Sequence, residues 1–269
     1  MPDPVPPEIA EALLAVGARR GRIGEPLHYF HETTSTNDLA AAFAERGAPE
    51  GTTVLAGTQT SGRGRLGRAW HSPAGAGLYF SMVIRSARAA PFLTLAGGVA
   101  VVRGIRAASG LPLEIKWPND VVTAGTSGPS RRRKLAGILA EASSSVDGLQ
   151  HVILGIGINI EPASYPPELA DRASSIETEL GRPVDAPTVF AEVLAAVADE
   201  LEPLTRGESA GLLERWRRLG PSARGATVEC DTPRGRVVGI ASGIDDDGAL
   251  LVTVGNRVER VIAGEVLWK

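Results

Sequence analysis

Seven residues, Gly62-Arg63-Gly64-Arg65-Leu66-Gly67-Arg68, put three guanidiniums on a backbone whose three glycines permit left-handed φ and close approach to a ligand. Arginine's planar fork of donors fits carboxylate and phosphate bidentately. Trp70 follows two residues later and offers a flat face on which a base could stack. A mobile cationic loop that wraps a small phosphate-bearing ligand is one reading. A solvated basic turn is the other, since charge runs usually face water.

Other polar groups sit where backbone elements should begin or end. Ser35-Thr36-Asn37 precedes a helical pattern, so its hydroxyls and amide, with the free helix N–H donors, either bind a polar ligand group or simply cap the helix. Gln59 leaves a strand three residues before Gly62; its amide both donates and accepts, as a ureido or amide ligand would require. In Lys116-Trp117-Pro118-Asn119-Asp120 a strand stops at proline and presents Asn and Asp at its mouth. Asp120 there is either a magnesium ligand beside substrate phosphates or part of an Asx turn. Lys134 ends the basic run Arg131-Arg132-Arg133-Lys134 and begins an apolar strand, poised as a point charge between water and a pocket. The three arginines before it read as a solvated loop edge. Gly137, Gly155 and Gly157, inside apolar strands, suggest that something passes close to the backbone.

Several chemistries find no support. Gly155-Ile-Gly-Ile-Asn159 lacks the third glycine and following helix of a dinucleotide fingerprint, and no GxxxxGK[ST] occurs. The four histidines (28, 31, 71, 151) lack metal-ligand spacing, and no Ser/His/Asp order stands out. Cys230 is the only cysteine, which excludes an internal disulfide and suits a reducing cytosol. The net charge of −3 creates no global field for nucleic acid. The N-terminus lacks the basic region of a signal peptide, and no apolar run approaches the ~18 residues of a membrane helix. A cytoplasmic protein is expected.

The elements that must carry these residues are intermixed strands and helices. A short helix is predicted within 8–18, with no further element before His28. A helix follows Asn37 through Arg46, then strands at 52–58 and 77–84, and a helix from Phe92 to about Ser109. A short strand at 113–117, a Gly/Ser/Pro loop over 125–129, paired strands at 134–142 and 151–160, and helices at 187–203 and 209–219 complete the main body. Without strict alternation this favours α+β with a mixed sheet flanked by helices. From Gly225 four short strands surround an Asp245-Asp246-Asp247-Gly248 turn and predict a small β-barrel. The expected division is a short extension over 1–27, a main domain over 28–222 and the barrel over 223–269.

Taken together, STN at 35–37, GRGRLGRAW at 62–70, KWPND at 116–120, KLAGIL at 134–139 and GIGIN at 155–159 resemble the biotin protein ligase family in order and spacing. The segment 239–267, with IDDDGALLV and AGEV, is similar to that family's SH3-like C-terminal domain. The resemblance implies a biotin/lipoate ligase-like catalytic domain and a two-step reaction. ATP and biotin, with Mg²⁺, would give biotinyl-5′-AMP, and biotin would pass to one lysine of a biotin carboxyl carrier domain of a carboxylase. By resemblance, Lys134, Arg65 and Arg63 are catalytic. Ser35, Thr36, Asn37, Gln59, Gly62, Arg63, Gly64, Arg65, Lys134, Gly137 and Gly155 would surround biotin. Arg68, Trp70, Asn119, Lys134 and Asn159, with Pro73 nearby, would hold the nucleotide, and Asp120 the metal. Only about 27 residues precede the ligase-like region, so the family's helix-turn-helix and DNA binding are not expected. The 123–133 segment is longer than the turn expected before KLAGIL. A monomer or weak homodimer is expected, and a lipoate or octanoate ligase or transferase of the same fold is the alternative.

Overall fold

Phe80, Met82 and Ile84 alternate along one side of β3 (Gly77–Ile84) and are almost wholly buried. Tyr79, Ser81 and Val83 therefore point to the opposite side. That two-sided strand lies near the middle of a seven-stranded mixed sheet in the order β1-β2-β3-β7-β6-β5-β4. The computed structural model describes residues 1–125, 132–163, 165–232, 235–262 and 264–268. Arg131 and all but the first residue of the predicted 125–129 loop lie outside them.

The other strands of this sheet are β1 (Leu27–Thr33), β2 (Thr53–Gln59), β4 (Leu113–Lys116), β5 (Asp120–Thr123), β6 (Lys134–Ser145) and β7 (Gly148–Asn159). β1 and β2 are parallel and the remaining pairs antiparallel. The Phe80 side packs against helices α4 (Leu93–Ser109) and α7 (Ala186–Thr205), with the Phe80 and Phe190 rings edge to face at 5.0 Å. Onto these helices pack α1 (Pro7–Ala15) and α2 (Gly17–Arg20), through Ile9, Leu13, Val16 and Ile23, and α8 (Ala210–Leu219), through Leu212, Leu213 and Trp216. The other side of the sheet holds α3 (Thr36–Glu45), seated by Ala40 and Ala44 on Val54, Val83 and Ile153.

The predicted SH3-like unit is a five-stranded antiparallel sheet in the order β11-β10-β9-β8-β12. Its strands are β8 (Arg224–Thr232), β9 (Gly235–Ile244), β10 (Leu250–Val254), β11 (Arg257–Val261) and β12 (Glu265–Trp268). Asp245 Oδ1 accepts the N–H groups of Asp247 and Ala249 and so shapes the expected turn. Trp117 reaches across and donates its indole N–H to the Gly248 carbonyl at 3.0 Å, tying the two sheets together beside the cis Trp117–Pro118 bond.

The α+β architecture is as expected, but short elements escaped the sequence reading. β1, β5, β12, α2, α5 (Pro167–Ala170) and α6 (Ile176–Leu180) were not foreseen. Most run only four or five residues, too few for a periodic signal. β1 is half-buried along much of its length and shows no clean alternation. The expectation that no apolar run approaches membrane-spanning length is corrected by Ala90–Ser109, whose 20 residues pass that test. This is the core helix, with 61% of its apolar window buried against α7 and the sheet.

Candidate functional site

Strand register decides which residues share the open face of the sheet. Gly137 lies directly opposite Gly157, and Leu139 opposite Gly155, while Tyr79 and Ser81 of β3 pair with Gly157 and Gly155. The period of two then places Gly137, Glu141, Gly155, Gly157 and Asn159 on the side away from α4 and α7. The loop from Gly62 to Trp70 folds over this floor, closed by a bridge between Arg63 and Ala69 and by the Trp70 N–H donating to the Gly62 carbonyl at 2.8 Å. Between loop and floor is a cavity of about 510 Å³, which the start of β5, the end of α5 and part of β12 complete.

Trp70 lies on the two glycines. A Cβ on Gly157 would come within 2.5 Å of the indole Nε1 and one on Gly137 within 2.9 Å of the ring, so only glycine at both positions lets the indole lie flat. The Trp70 Nε1–H is buried and has no protein acceptor. Lys134 Nζ sits 5.0 Å above the same ring and 2.6 Å from Asp120 Oδ1. The ammonium is one-third exposed, so it borders the cavity with one carboxylate beside it.

At the other end the polar groups of α3 join β3 and β6. Ser35 occupies the N-cap position of α3 but makes no capping side-chain hydrogen bond, so the simple capping role does not account for it. Gln59 Oε1 accepts the Thr36 N–H at 2.9 Å, and its Nε2 donates to Ser72 Oγ at 2.9 Å, which fixes the amide's orientation. Ser81 Oγ donates to Asn37 Oδ1 at 2.5 Å, and Asn37 Nδ2 donates to Glu141 Oε2 at 2.5 Å. Gly155 is glycine because the Asn37 carboxamide lies against it, closer than any Cβ would allow.

Each arginine of the loop has a different setting. Arg63 Nη2 is held by Asp38 Oδ1 at 2.8 Å and Glu141 Oε2 at 2.9 Å. All three groups are about half exposed, so these pairs contribute little and can exchange for another anion. Arg65 is more buried; desolvation lowers its pKa and the nearby Asp120 charge opposes the shift. Its Nη1 reaches Asn119 Oδ1 at 3.5 Å. Leu66, at the tip, has φ 57°. A left-handed leucine costs about 1–2 kcal/mol, which favours a loop that opens readily.

The cavity thus gathers Ser35, Thr36, Asn37, Gln59, Arg63, Gly64, Arg65, Arg68, Trp70, Asn119, Asp120, Lys134, Gly137, Gly155 and Asn159 from six separate stretches of chain. It does not include Gly62, whose neighbours are Trp70, Ser72 and Gln59, or Pro73, whose carbonyl accepts the Tyr79 hydroxyl. Asn159 faces the site, yet its amide donates to the Ser174 carbonyl at 2.9 Å and holds the 174 segment in place. Asn119 Nδ2 likewise donates to the Ile138 carbonyl. The sequence reading missed Asp38, Glu141, Ser72 and Ser81, which orient the expected residues. Glu141 could have been found from its spacing, four residues and two strand periods beyond Gly137. Among the described residues no group of three or more His, Cys, Asp or Glu could hold a metal unaided.

Comparison with known proteins converges on one group. The biotin/lipoate A/B protein ligase family model matches residues 29–159, and the biotin protein ligase C-terminal domain model matches residues 225–267. The bifunctional ligase/repressor BirA of Bacillus subtilis is 33% identical over 266 residues, covering 97% of this chain and 79% of that protein. A biotin–[acetyl-CoA-carboxylase] ligase of Mycobacterium tuberculosis is 35% identical over 255 residues, covering 88% and 86%. The solved Aquifex aeolicus biotin protein ligase, in complex with biotin and ATP, superposes with a TM-score of 0.76 at 27% identity, covering 90% of this chain and 98% of that one.

Proposed function

This chain belongs to the biotin protein ligase family, and on that premise we propose which of its residues activate biotin as biotinyl-5′-AMP and pass it to a carrier-domain lysine. A biotin carboxylate oxygen attacks the α-phosphorus of ATP. The bond from that phosphorus to the bridging oxygen breaks, and pyrophosphate leaves with the electron pair. The lysine ε-amine then attacks the acyl carbon, AMP departs, and the amine proton passes to solvent.

The observation that carries this reading is one cavity lined by Lys134 and the loop arginines, with an oriented amide–hydroxyl network beside Arg63. Carboxylate and triphosphate repel each other, and preorganised cations offset that repulsion and the charge developing at phosphorus. Lys134 holds the carboxylate and α-phosphate oxygens. Arg65 and Arg68 gather the phosphates, and Arg63 exchanges Asp38 and Glu141 for ligand. Ser35, Thr36, Asn37, Gln59 and the Arg63–Arg65 backbone contact the biotin head, with Gly137 and Gly155 at its ring and tail; Gly62, outside the cavity, is not among them. Trp70, Asn119 and Asn159 border the nucleotide. Asp120 is the carboxylate that would hold a magnesium ion, which would supply charge neutralisation.

The protein partner is a biotin carboxyl carrier domain, and the setting is the cytoplasm, in keeping with a lone buried Cys230. Incubating the chain with biotin, Mg²⁺-ATP and a carrier domain should raise the carrier's intact mass by one biotinyl group. No mass gain would reject the reading. Pyrophosphate exchange driven by lipoate or octanoate instead of biotin would move it to the alternative ligase of the same fold.

Two further outcomes follow from the geometry. Because an acyl-adenylate hydrolyses readily, the loop must close over it. Amides of residues 62–68 should exchange more slowly with biotinyl-5′-AMP bound; equal protection with and without it would contradict closure. Gly157→Ala should tilt Trp70 and raise the KM for ATP roughly tenfold, as expected for a weakened base stack. The KM for biotin should stay near its original value, and a thermal scan checks that the variant is folded.

A further inference from the structure

Arg132 lies in the stretch that departs from the expected short turn before Lys134, and it is not the solvated loop edge expected there. Its side chain is nine-tenths buried and lines the cavity. One nitrogen, Nη2, pairs with Glu114 Oε2 at 2.7 Å, while Nε and Nη1 are buried without any hydrogen-bond partner. Arg133 differs, pairing with Glu179 at 2.6 Å. Leaving guanidinium donors unpaired in a buried position is costly unless a ligand satisfies them.

The placement says which part of the ligand that is. Lys134 and Arg132 are two residues apart and both border the cavity, which spaces their backbones by roughly 7 Å along an extended chain. Across the strands Val122 pairs with both Glu114 and Lys134, so the face that carries Lys134 continues to the Glu114–Arg132 pair. From the C-terminal sheet, Trp268 borders the same cavity, and its buried indole N–H also lacks an acceptor. The Arg132 donors lie past Lys134 at the β4–β5 end, away from the Ser35–Gln59 network.

We infer that Arg132, with the Trp268 indole bordering the same cavity, is the receiving site for the pyrophosphate leaving group. This rests on the adenylation reading above. When the α-phosphorus is attacked, the bridging oxygen takes the electron pair and the departing diphosphate gains charge. A guanidinium paired with Glu114, with two unpartnered donors buried at the cavity wall, meets that charge once the side chain turns toward it. The role is confined to the first half-reaction, because no diphosphate is present when the carrier lysine reacts.

The test is biotin-dependent ATP–pyrophosphate exchange with inorganic pyrophosphate as the varied substrate, run beside transfer from isolated biotinyl-5′-AMP. Arg132→Gln should raise the KM for pyrophosphate and its product-inhibition constant about 10- to 100-fold. The KM for biotin and the transfer rate should stay within twofold, and Arg132→Lys should recover part of the loss. Because Arg132→Gln strands Glu114, the double variant Arg132→Gln/Glu114→Gln removes both charges and should show the same pyrophosphate defect in a folded chain. Trp268→Phe should raise the same constant by a smaller factor. An unchanged pyrophosphate KM in the folded double variant, or an equal fall in both half-reactions, overturns the assignment. Failure of the unsubstituted chain to catalyse biotin-dependent exchange would instead overturn the adenylation reading.

Discussion

Lys134→Ala is expected to lower the rate of biotin adenylation by about 10²–10³, the scale seen when one charge-stabilising group is removed from a transition state. Its ammonium, beside Asp120 at 2.6 Å and over Trp70 at 5.0 Å, borders the cavity that Arg63, Arg65 and Arg68 also line. Alanine removes the point charge and leaves the Asp120 carboxylate facing the substrate anions. Part of the loss therefore comes from Asp120, whose carboxylate loses its ammonium partner. Pyrophosphate exchange measures the adenylation step, and transfer from supplied biotinyl-5′-AMP measures the second. Transfer should fall far less, because the anions have by then been joined. Normal pyrophosphate release by the alanine variant would remove Lys134 from the mechanism.

Glu200→Ala should destabilise the fold by about 3–5 kcal/mol, the usual consequence of breaking a buried ion pair from one side. Glu200 on α7 is fully buried; Arg103 of α4 meets it at 2.6 Å and Arg215 of α8 at 2.7 Å. The carboxylate thus joins three helices behind the sheet, and its loss leaves two partly buried guanidiniums facing each other. Both arginines keep some contact with water, which places the effect at the lower end of that range. A stability of 5–15 kcal/mol is typical of folded chains, and the melting temperature should drop on the order of 10 °C. Glu200→Gln, which keeps the shape and some hydrogen bonds, should fall between the two. A thermal or urea unfolding curve decides, and a shift below about 0.5 kcal/mol would mean that the triad is dispensable. Since the site lies on the opposite face of the sheet, the KM for biotin at low temperature should be unaffected.

Much of this was legible in the chain. The alternation in 77–84, the apolar stripe of 93–109 and the turn at Asp245–Gly248 are local patterns, and each became the expected element. The site strings stood out in the sequence with ligand-free alternatives beside them, and the fold brings most of their residues to one cavity. Elements of four or five residues were not, since a strand as short as β5 or β12 is defined by its neighbours rather than by its own composition. Glycine shows the limit most sharply. Gly137 and Gly155 read as sites of close approach, as they are, but what approaches is Trp70 and Asn37.

The linear order of residues alone determined the α+β class, the cationic loop, the lysine at a strand mouth and the family to which the motifs point. The tertiary structure alone decided that Arg63 rests on Asp38 and Glu141, that Trp70 lies across two facing glycines, and that Arg132 is buried with donors to spare. Those pairings join residues up to 87 positions apart, from Trp70 to Gly157. Strand register sets them, and a slip of one residue would turn every such side chain to the other face of the sheet.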